Sequence, residues 1–225
     1  MPTGMSSASG LDVAGVGYRR EDVPAVGSGA LAEVEAWFGG LNGRAFDLEI
    51  GSGKGTFLVQ QAALEPGVCF LGVEHAMAFW RHAADRVRRH GLENVRLLHA
   101  DADTLVKHQL PAGLLRQCHI YFPDPWPKAR HNKRRLVQAP FLRALHSVLG
   151  PGGAVRLVTD HQEYFAWMQE HAAVVEAEGL FERLAYEPPA SAGEGEWIGT
   201  NFERKYQKEG RTIQGMILKK RNSGS

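Results

Sequence analysis

The sequence predicts an α/β fold with a doubly wound, mostly parallel sheet. Five short apolar segments alternate with segments whose apolar residues recur at helical spacing. The short segments are apolar on both faces, as is typical of parallel strands covered by helices on each side. They are residues 46–50, 69–73, 95–99, 118–122 and 154–158.

Helical patterns fill the intervals between these strands. They cover residues 56–64, 76–90, 104–109 and 140–149. Gly91 follows the second pattern, and glycine after a helix is a common termination signal. Asp160 and Glu163 have the spacing of a capping box, which predicts a further helix to about residue 178. Two antiparallel strands are predicted in the C-terminal tail, at residues 181–186 and 213–219, with a long loop between them.

The chain divides into a flexible N-terminal arm, residues 1–29, and one domain, residues 30–225. The arm is rich in Gly, Ser and Ala and has no hydrophobic period. A short helix over residues 30–38, ended by Gly39-Gly40, opens the domain. A length of 225 residues is enough for one well-buried α/β domain.

Several classes of protein are disfavoured by composition. No apolar run approaches the roughly 20 residues that span a bilayer, and the N-terminus lacks the features of a signal peptide. Cys69 and Cys118 lie in apolar segments, where they are expected as small buried hydrophobic residues of a reducing cytoplasm. The ten histidines show no ligand spacing, so no metal is expected.

The segment from Phe122 to Arg135, FPDPWPKARHNKRR, has the most unusual composition. Three prolines in five residues must end the strand before it, because proline fixes φ and donates no backbone hydrogen bond. The loop carries one carboxylate, Asp124, and one large aromatic side chain, Trp126. Five cations in the eight residues 128–135 follow it, in a chain whose net charge is only +1. An acid beside an aromatic ring and a local cationic run indicate chemistry on a nucleobase whose phosphates are bound nearby.

Four carboxylates fall at or just after strand ends, where open α/β sheets bind their ligands. They are Glu49, Glu74, Asp101 and Asp124. The first strand is followed by Gly51-Ser52-Gly53-Lys54-Gly55, a loop whose glycines allow the backbone to approach a ligand. The G-x-G-x-G spacing departs from the usual dinucleotide fingerprint. So many acids disfavour a pyrophosphate and suit a cationic adenosine derivative such as S-adenosylmethionine.

These positions correspond to three parts of such a cofactor. Glu74 lies 23 residues after Gly51, where an acid typically accepts hydrogen bonds from ribose hydroxyls. Asp101 is expected at the adenine edge. Glu49 is expected to receive the ammonium- or sulfonium-bearing half.

The motifs LEIGSGKG, GVEH, HADA, FPDPWPKARHNKRR, LGPGG, VTD, YFAWM and TNFE follow in this order. Together they resemble the tRNA (guanine-N7)-methyltransferase family, over roughly residues 46–220. The resemblance implies a class I, Rossmann-like methyltransferase fold and transfer of a methyl group from S-adenosylmethionine to N7 of a guanine in the tRNA variable loop, with S-adenosylhomocysteine as product. It also implies a cytoplasmic monomer or homodimer that needs no partner subunit if it is like the bacterial enzymes.

The resemblance also implies roles for individual residues. Glu49, Gly51, Gly53, Glu74, Asp101 and Asp124 correspond to cofactor contacts, and Asp124 is also the expected catalytic residue. Substrate contacts correspond to Lys128, Asp160, Thr200, Asn201, Phe202 and Glu203. The RNA-binding segment corresponds to Arg130, His131, Lys133, Arg134 and Arg135. The family's longer Arg-rich arm is represented here only by Tyr18-Arg19-Arg20.

Guanine N7 is a lone-pair acceptor, so its methylation needs no strong general base. The site must place N7 in line with the methyl group and stabilise the positive charge that develops on the ring. Asp124 is expected to supply the negative charge and to accept a hydrogen bond from N1–H or the exocyclic amine. Trp126 either stacks on the base or packs in the core, and Asp160 either caps a helix or binds the substrate.

Two other functions are compatible with these motifs. One is a nucleic-acid methyltransferase acting on an exocyclic amine, although such enzymes often carry an acid-Pro-Pro-aromatic sequence where this chain has Asp124-Pro125-Trp126. The other is a catalytically silent RNA-binding subunit with the same fold. Retention of all four strand-end acids disfavours the silent subunit.

Overall fold

The computed structural model describes residues 10–23 and 30–222, which form two compact units, Met1–Leu110 and Pro111–Ser225. Each unit consists of strands and helices that alternate along the chain. The predicted α/β class with mostly parallel strands and antiparallel C-terminal strands is confirmed.

In the described residues of the first unit, four parallel strands lie in the order β1-β4-β3-β2. Its strands are β1 (Gly17–Arg19), β2 (Ala45–Ile50), β3 (Val68–Glu74) and β4 (Val95–His99). Its helices are α1 (Ala30–Ala36), α2 (Thr56–Leu64), α3 (Met77–Arg89) and α4 (Ala102–His108). β3 is buried at every position, as the apolar run over residues 69–73 predicts for most of its length.

The core of the first unit lies between its sheet and helices α2 and α3. Phe70 of β3, Leu58 of α2 and Trp80 of α3 belong to one buried cluster. Gly72 makes this packing possible, because a Cβ there would lie 2.4 Å from Leu58 Cδ1. The close approach of α2 to β3 sets the position of the glycine loop that precedes α2.

Part of the predicted flexible arm is instead a strand. Residues 17–19 pair with β4, with Gly17 opposite Leu97. A Cβ at Gly17 would lie 2.8 Å from the Trp80 ring, so glycine lets this strand pack beside the buried indole. A three-residue strand has no sequence period, which is why composition alone predicts an arm here. The rest of the arm falls largely in residues 1–9 and 24–29, outside the described residues.

Within the part of the second unit that the structure describes, four strands lie in the order β5-β6-β8-β7. β5 (Leu115–Tyr121) and β6 (Leu149–Thr159) are parallel, whereas β8 (Gln214–Lys220) is antiparallel to both β6 and β7 (Phe181–Ala185). The helices are α5 (Ala139–Val148), α6 (Gln162–Ala177) and α7 (Asn201–Lys208).

Two helix starts differ from the sequence prediction. The N-cap of α6 is His161, whose Nδ1 accepts from the Tyr164 N–H at 3.2 Å, so Asp160 does not cap this helix. Helix α7 lies in the segment predicted as a loop; its N-cap Thr200 accepts from the Glu203 N–H at 3.2 Å. No helix in the described part of the chain is both long enough and apolar enough to span a membrane.

Candidate active site

A left-handed glycine loop follows β2 in the first unit. Gly51, Gly53 and Gly55 have φ values of 75°, 53° and 70°, which favour glycine. The N–H groups of Gly51 and Ser52 both donate to the Val73 carbonyl, at 2.8 and 3.2 Å. The loop is therefore fixed to β3 and presents its backbone at the start of α2.

Glu49 is a buried acid with one oxygen unused. Its side chain is on β2, the residue is 4% exposed, and Oε2 accepts no hydrogen bond from any described residue. Burial, and then the charge of Glu74, raises the pKa of Glu49 to about 8. Ser52 Oγ, also buried, likewise lacks a partner among the described residues. Two such buried oxygens fit a ligand that brings its own cation and hydrogen-bond donors.

Glu74, at the end of β3, holds the glycine loop in place. Its Oε2 accepts from the Gly53 N–H at 2.8 Å, and its Oε1 accepts from the Ala76 N–H at 2.8 Å. Each carboxylate oxygen has a second acceptor position. Glu74 can therefore bind a hydroxyl pair while it keeps the loop fixed.

Asp101 lies just after β4 and is exposed. It is the N-cap of α4, and its Oδ1 accepts from the Thr104 N–H at 2.8 Å. This bond fixes the side chain at the carboxyl end of the strand and leaves Oδ2 available for a donor on a ligand. Glu49, Glu74 and Asp101 thus come from the carboxyl ends of neighbouring parallel strands.

In the second unit, the proline-rich loop after β5 has an unusual backbone. Phe122 and Trp126 have φ values of 50° and 46°, a region that bulky residues rarely adopt. Asp124, between them, is exposed. The two left-handed residues and the prolines hold this carboxylate on a stiff loop at the end of a strand.

Trp126 packs on the basic segment. Its ring meets His131 edge to face at 5.9 Å, and the Arg134 guanidinium lies 5.0 Å from the ring centroid. The indole is only partly buried. Trp126 therefore does not pack in the core, which was one of its two predicted roles. The other role, stacking on a base, stays a prediction.

The cationic run contains both exposed and buried arginines. Residues Ala129–Arg134 form a 3-10 helix, on which Arg130, Lys133 and Arg134 are exposed and His131 is half-buried. Lys128, just before it, is also exposed.

Arg135 differs from its neighbours and from the RNA-binding role predicted for it. It is 1% exposed and lies 5.2 Å from the Tyr164 ring and 5.3 Å from the Trp167 ring. Its Nε donates to the Pro125 carbonyl at 2.8 Å. A guanidinium in this place cannot reach a phosphate, and it supports the loop that carries Asp124.

Asp160, just after β6, is paired with a cation. Its Oδ2 lies 2.6 Å from Arg211 Nη1, and its side chain is 13% exposed. Its prediction as a substrate contact stays open, because a carboxylate paired with one cation keeps further acceptor positions.

Two of the four residues in the segment Thr200–Glu203, its first and its last, have structural roles. Thr200 caps α7, and Glu203 is 0% exposed. The Glu203 carboxylate accepts from the N–H groups of Trp197, Ile198 and Gly199, the last two at 2.9 and 2.8 Å. It cannot contact a substrate from this position, contrary to the sequence prediction. Phe202 is 47% exposed, and the side chain of Asn201 lies outside the described residues.

Sequence reasoning missed Ser52 and Arg211. Ser52 has a local signal, since it lies between two glycines of the loop. Arg211 has none, because its partner Asp160 is 51 residues away. Among the described residues, no group of three or more His, Cys, Asp or Glu could hold a metal ion.

Comparison with known proteins identifies a family to which the sequence is similar. A family model described as "Putative methyltransferase" matches residues 44–216. A tRNA (guanine-N(7)-)-methyltransferase of Halorhodospira halophila is 39% identical over 188 residues, covering 81% of this chain and 78% of that protein. One from Alkalilimnicola ehrlichii is 39% identical over 174 residues, covering 77% and 72%.

The fold also resembles a solved methyltransferase structure. The antibiotic-resistance methyltransferase Kmr aligns with a TM-score of 0.55 at 21% identity, over 88% of this chain and 100% of that chain. At this identity the likeness concerns the fold, which is that of a methyltransferase.

Proposed function

This chain belongs to the tRNA (guanine-N7)-methyltransferase family, and we propose that it transfers a methyl group from S-adenosylmethionine to N7 of a guanine in the variable loop of tRNA. The observation that carries the proposal is the 39% identity to a relative of that name over 81% of the chain. The strand-end acids and the glycine loop, predicted from the sequence to bind a cationic cofactor, lie within the matched residues.

The residues of the first unit fit S-adenosylmethionine, which supplies an electrophilic methyl group on a sulfonium. The partnerless oxygens of Glu49 and Ser52 suit the ammonium group of its methionine moiety. Glu74 accepts from the ribose hydroxyls, Asp101 accepts from the adenine amine, and the backbone at Gly51 and Gly53 approaches the ligand without side-chain obstruction. A Cβ at Gly51 would meet no atom within 4 Å, so the space beside it is open.

Asp124 acts by charge and position. N7 has a free lone pair, so the residue need not remove a proton. Methylation makes the guanine ring cationic, and an exposed carboxylate on a stiff loop stabilises that charge as it develops. The left-handed backbone on either side of Asp124 reduces the reorganisation that this stabilisation requires.

The exposed cations after Asp124 hold the RNA. Lys128, Arg130, Lys133 and Arg134 bind phosphates, together with the half-buried His131. Phe202 offers an exposed aromatic face to the substrate, and Asp160 a carboxylate. Glu203 and Arg135 act indirectly, by holding the segments that carry these groups. We place the enzyme in the cytoplasm as a monomer or homodimer that needs no partner subunit and no metal.

The test is methylation of an unmodified tRNA transcript with labelled S-adenosylmethionine, followed by digestion and identification of the modified nucleotide. We expect N7-methylguanosine in the variable loop. Label on an exocyclic amine, or no label at all, would contradict the proposal and support the alternative methyltransferase or the silent subunit.

Asp124→Asn tests the catalytic assignment with little change in shape. Loss of the negative charge should lower kcat at least about 100-fold, as removal of one stabilising group does in other active sites. Asp103→Asn, which removes a surface ion pair with Lys107 in the first unit, should keep normal activity. A folded Asp124→Asn protein with near-normal kcat would remove Asp124 from the mechanism.

A further inference from the structure

Arg211 makes a close ion pair with Asp160 that the sequence does not suggest. Arg211 lies between helix α7 and strand β8, whereas Asp160 follows strand β6. The Arg211 Nη1 to Asp160 Oδ2 distance is 2.6 Å. Asp160 is the less exposed partner, with 13% of its side chain accessible against 46% for Arg211. The cation therefore covers a carboxylate that is largely withdrawn from solvent.

Arg211 is itself held on two further sides. Its Nη2 lies 2.7 Å from Glu209 Oε2. Its guanidinium lies 4.4 Å from the centroid of the Tyr206 ring. The backbone N–H of Arg211 donates to the Tyr206 carbonyl at 3.0 Å. A planar guanidinium suits this place, because it donates along its edge to two carboxylates while its face rests on an aromatic ring.

Tyr206 connects this ion pair with the loop that carries Asp124. Its ring meets Phe122 edge to face at 5.5 Å, two residues before Asp124. Burial, and then the negative charge of Asp160, raises the pKa of the Tyr206 hydroxyl. The Arg211 cation acts in the opposite direction, and Asp124 adds a smaller raising effect. Both carboxylates therefore lie within electrostatic reach of one aromatic ring. The exposed Phe202 lies beside the same ring, at 6.3 Å.

This set of groups suits one nucleobase. A carboxylate accepts two parallel hydrogen bonds from neighbouring N–H donors. Guanine offers such a pair, N1–H and the exocyclic N2 amine, on its Watson–Crick edge. Adenine and cytosine place an acceptor beside their amine, and uracil flanks its single donor with oxygens. A base held by N1 and N2 keeps N7, on its other edge, free to react.

Resting on the proposed function, we propose that Arg211 is a positioning residue for guanine selectivity, which holds Asp160 so that its carboxylate accepts from both N1–H and the N2 amine of the target base. Of the two carboxylates near Tyr206, Asp160 is the one fixed by a cation, so it receives the base edge. Asp124 then keeps the role of stabilising charge on the ring. The hydrogen bond from Arg211 uses one lone pair of Oδ2 and leaves acceptor positions on both oxygens.

The selectivity is measured with two transcripts that differ in one group. In one, the target nucleotide is guanosine; in the other, assembled by ligation, it is inosine, which lacks only the N2 amine. A site built to hydrogen-bond that amine leaves its carboxylate partly unpaired with inosine. We expect wild-type kcat/KM to be about 10-fold or more higher for guanosine.

Arg211→Gln should lower kcat/KM for guanosine about 10-fold, mainly through KM, and change the inosine value much less, so that the ratio approaches one. Arg211→Lys keeps the positive charge but lacks the planar, two-pronged guanidinium. It should therefore restore part of the guanosine-to-inosine ratio of kcat/KM. Arg143→Gln is the matched control, because Arg143 is also 46% exposed and forms an ion pair with Glu178 in the same unit. Its guanosine-to-inosine ratio should equal that of the wild type.

Two results would overturn the inference. Folded Arg211→Gln and Arg211→Lys proteins that lose activity equally on both transcripts would give Arg211 only a structural role. Unchanged activity and ratio in both variants would give it no role. Wild-type protein that methylates no guanine in the transcript would instead overturn the proposed function itself, and this inference with it.

Discussion

At the scale of single residues, Glu49 is the group whose environment most clearly needs a ligand. A carboxylate without a partner is costly to bury, so the group stays protonated until a cation compensates its charge. With a pKa of about 8, Glu49 is mostly neutral at pH 7 in the ligand-free protein. The residue predicted from sequence to bind the cofactor is thus also the residue that burial destabilises in its charged form.

Glu49→Gln should remove a pH dependence of stability. The folded-state pKa is raised from 4.5 to about 8, so the folded protein binds more protons than the unfolded chain between these values. The contribution of Glu49 to the free energy of unfolding should therefore fall as pH rises through that window, by up to about 1.4 kcal/mol per pH unit. Urea unfolding at pH 5, 6, 7 and 8 measures it.

The informative quantity is the difference in unfolding free energy between wild type and Glu49→Gln. It should decrease steadily from pH 5 to pH 8, because glutamine does not titrate. Glu93→Gln, at an exposed glutamate of the same unit, should give a difference independent of pH in this range. A flat profile for Glu49→Gln would mean that the buried carboxyl is not the titrating group.

At the scale of structural elements, Glu203 organises helix α7 and the turn before it. Its carboxylate accepts three backbone N–H groups from residues 197–199, and Gln207 Nε2 donates to it at 3.1 Å. These N–H groups belong to a segment without regular secondary structure. One buried side chain thereby fixes the segment that presents Phe202.

Glu203→Gln should destabilise the protein by about 1–3 kcal/mol. The NH2 group of glutamine would replace one carboxylate oxygen and face the backbone N–H groups as a second donor, which leaves at least one buried N–H without an acceptor. Chemical unfolding measures the loss. Glu194→Gln is the matched control, since Glu194 lies exposed in the same loop and should change stability by less than about 0.5 kcal/mol. Equal stabilities of the two variants would show that the three N–H groups find other acceptors.

The elements also show what the sequence could and could not predict. The five apolar strands were predictable because strands buried on both faces have an unmistakable composition, as in β3. Helix α7 was not, because only one of its described residues, Glu203, is buried and an apolar stripe is lacking; its signal was the Thr200 to Glu203 capping spacing. That spacing was assigned to substrate binding instead.

In the candidate site, the sequence indicated where the acids lie but not which side chains they pair with. The strand-end positions of Glu49, Glu74 and Asp101 could be predicted because strand ends and a glycine loop are local features, whereas their contacts with a cofactor stay a prediction. Arg134 and Arg135 are adjacent and chemically identical, yet one is exposed and the other buried between two rings of α6. Such a difference depends on tertiary packing and has no local signature.

At the scale of the whole molecule, charge is nearly balanced, so affinity for tRNA must come from a local patch. Residues 1–100 hold 9 Lys and Arg against 11 Asp and Glu, and the net charge of the chain is +1. The exposed cations of the segment 128–134 are therefore the principal candidates for phosphate binding. Each phosphate that a cation neutralises releases bound counterions and steepens the salt dependence of binding.

Arg130→Ala should affect tRNA binding, whereas Arg135→Ala should affect stability. Arg130 is exposed, so its removal should weaken tRNA binding and reduce the slope of log affinity against log salt by about one, with stability nearly unchanged.

Arg135 is buried, so its removal should cost about 2–4 kcal/mol of unfolding free energy through the lost ring contacts and the lost bond to Pro125. Below its melting temperature, the Arg135→Ala protein should keep the wild-type salt slope. Filter binding from 50 to 300 mM salt and thermal unfolding of both variants separate the two roles. A reduced salt slope in a folded Arg135→Ala protein would return this arginine to the RNA-binding surface.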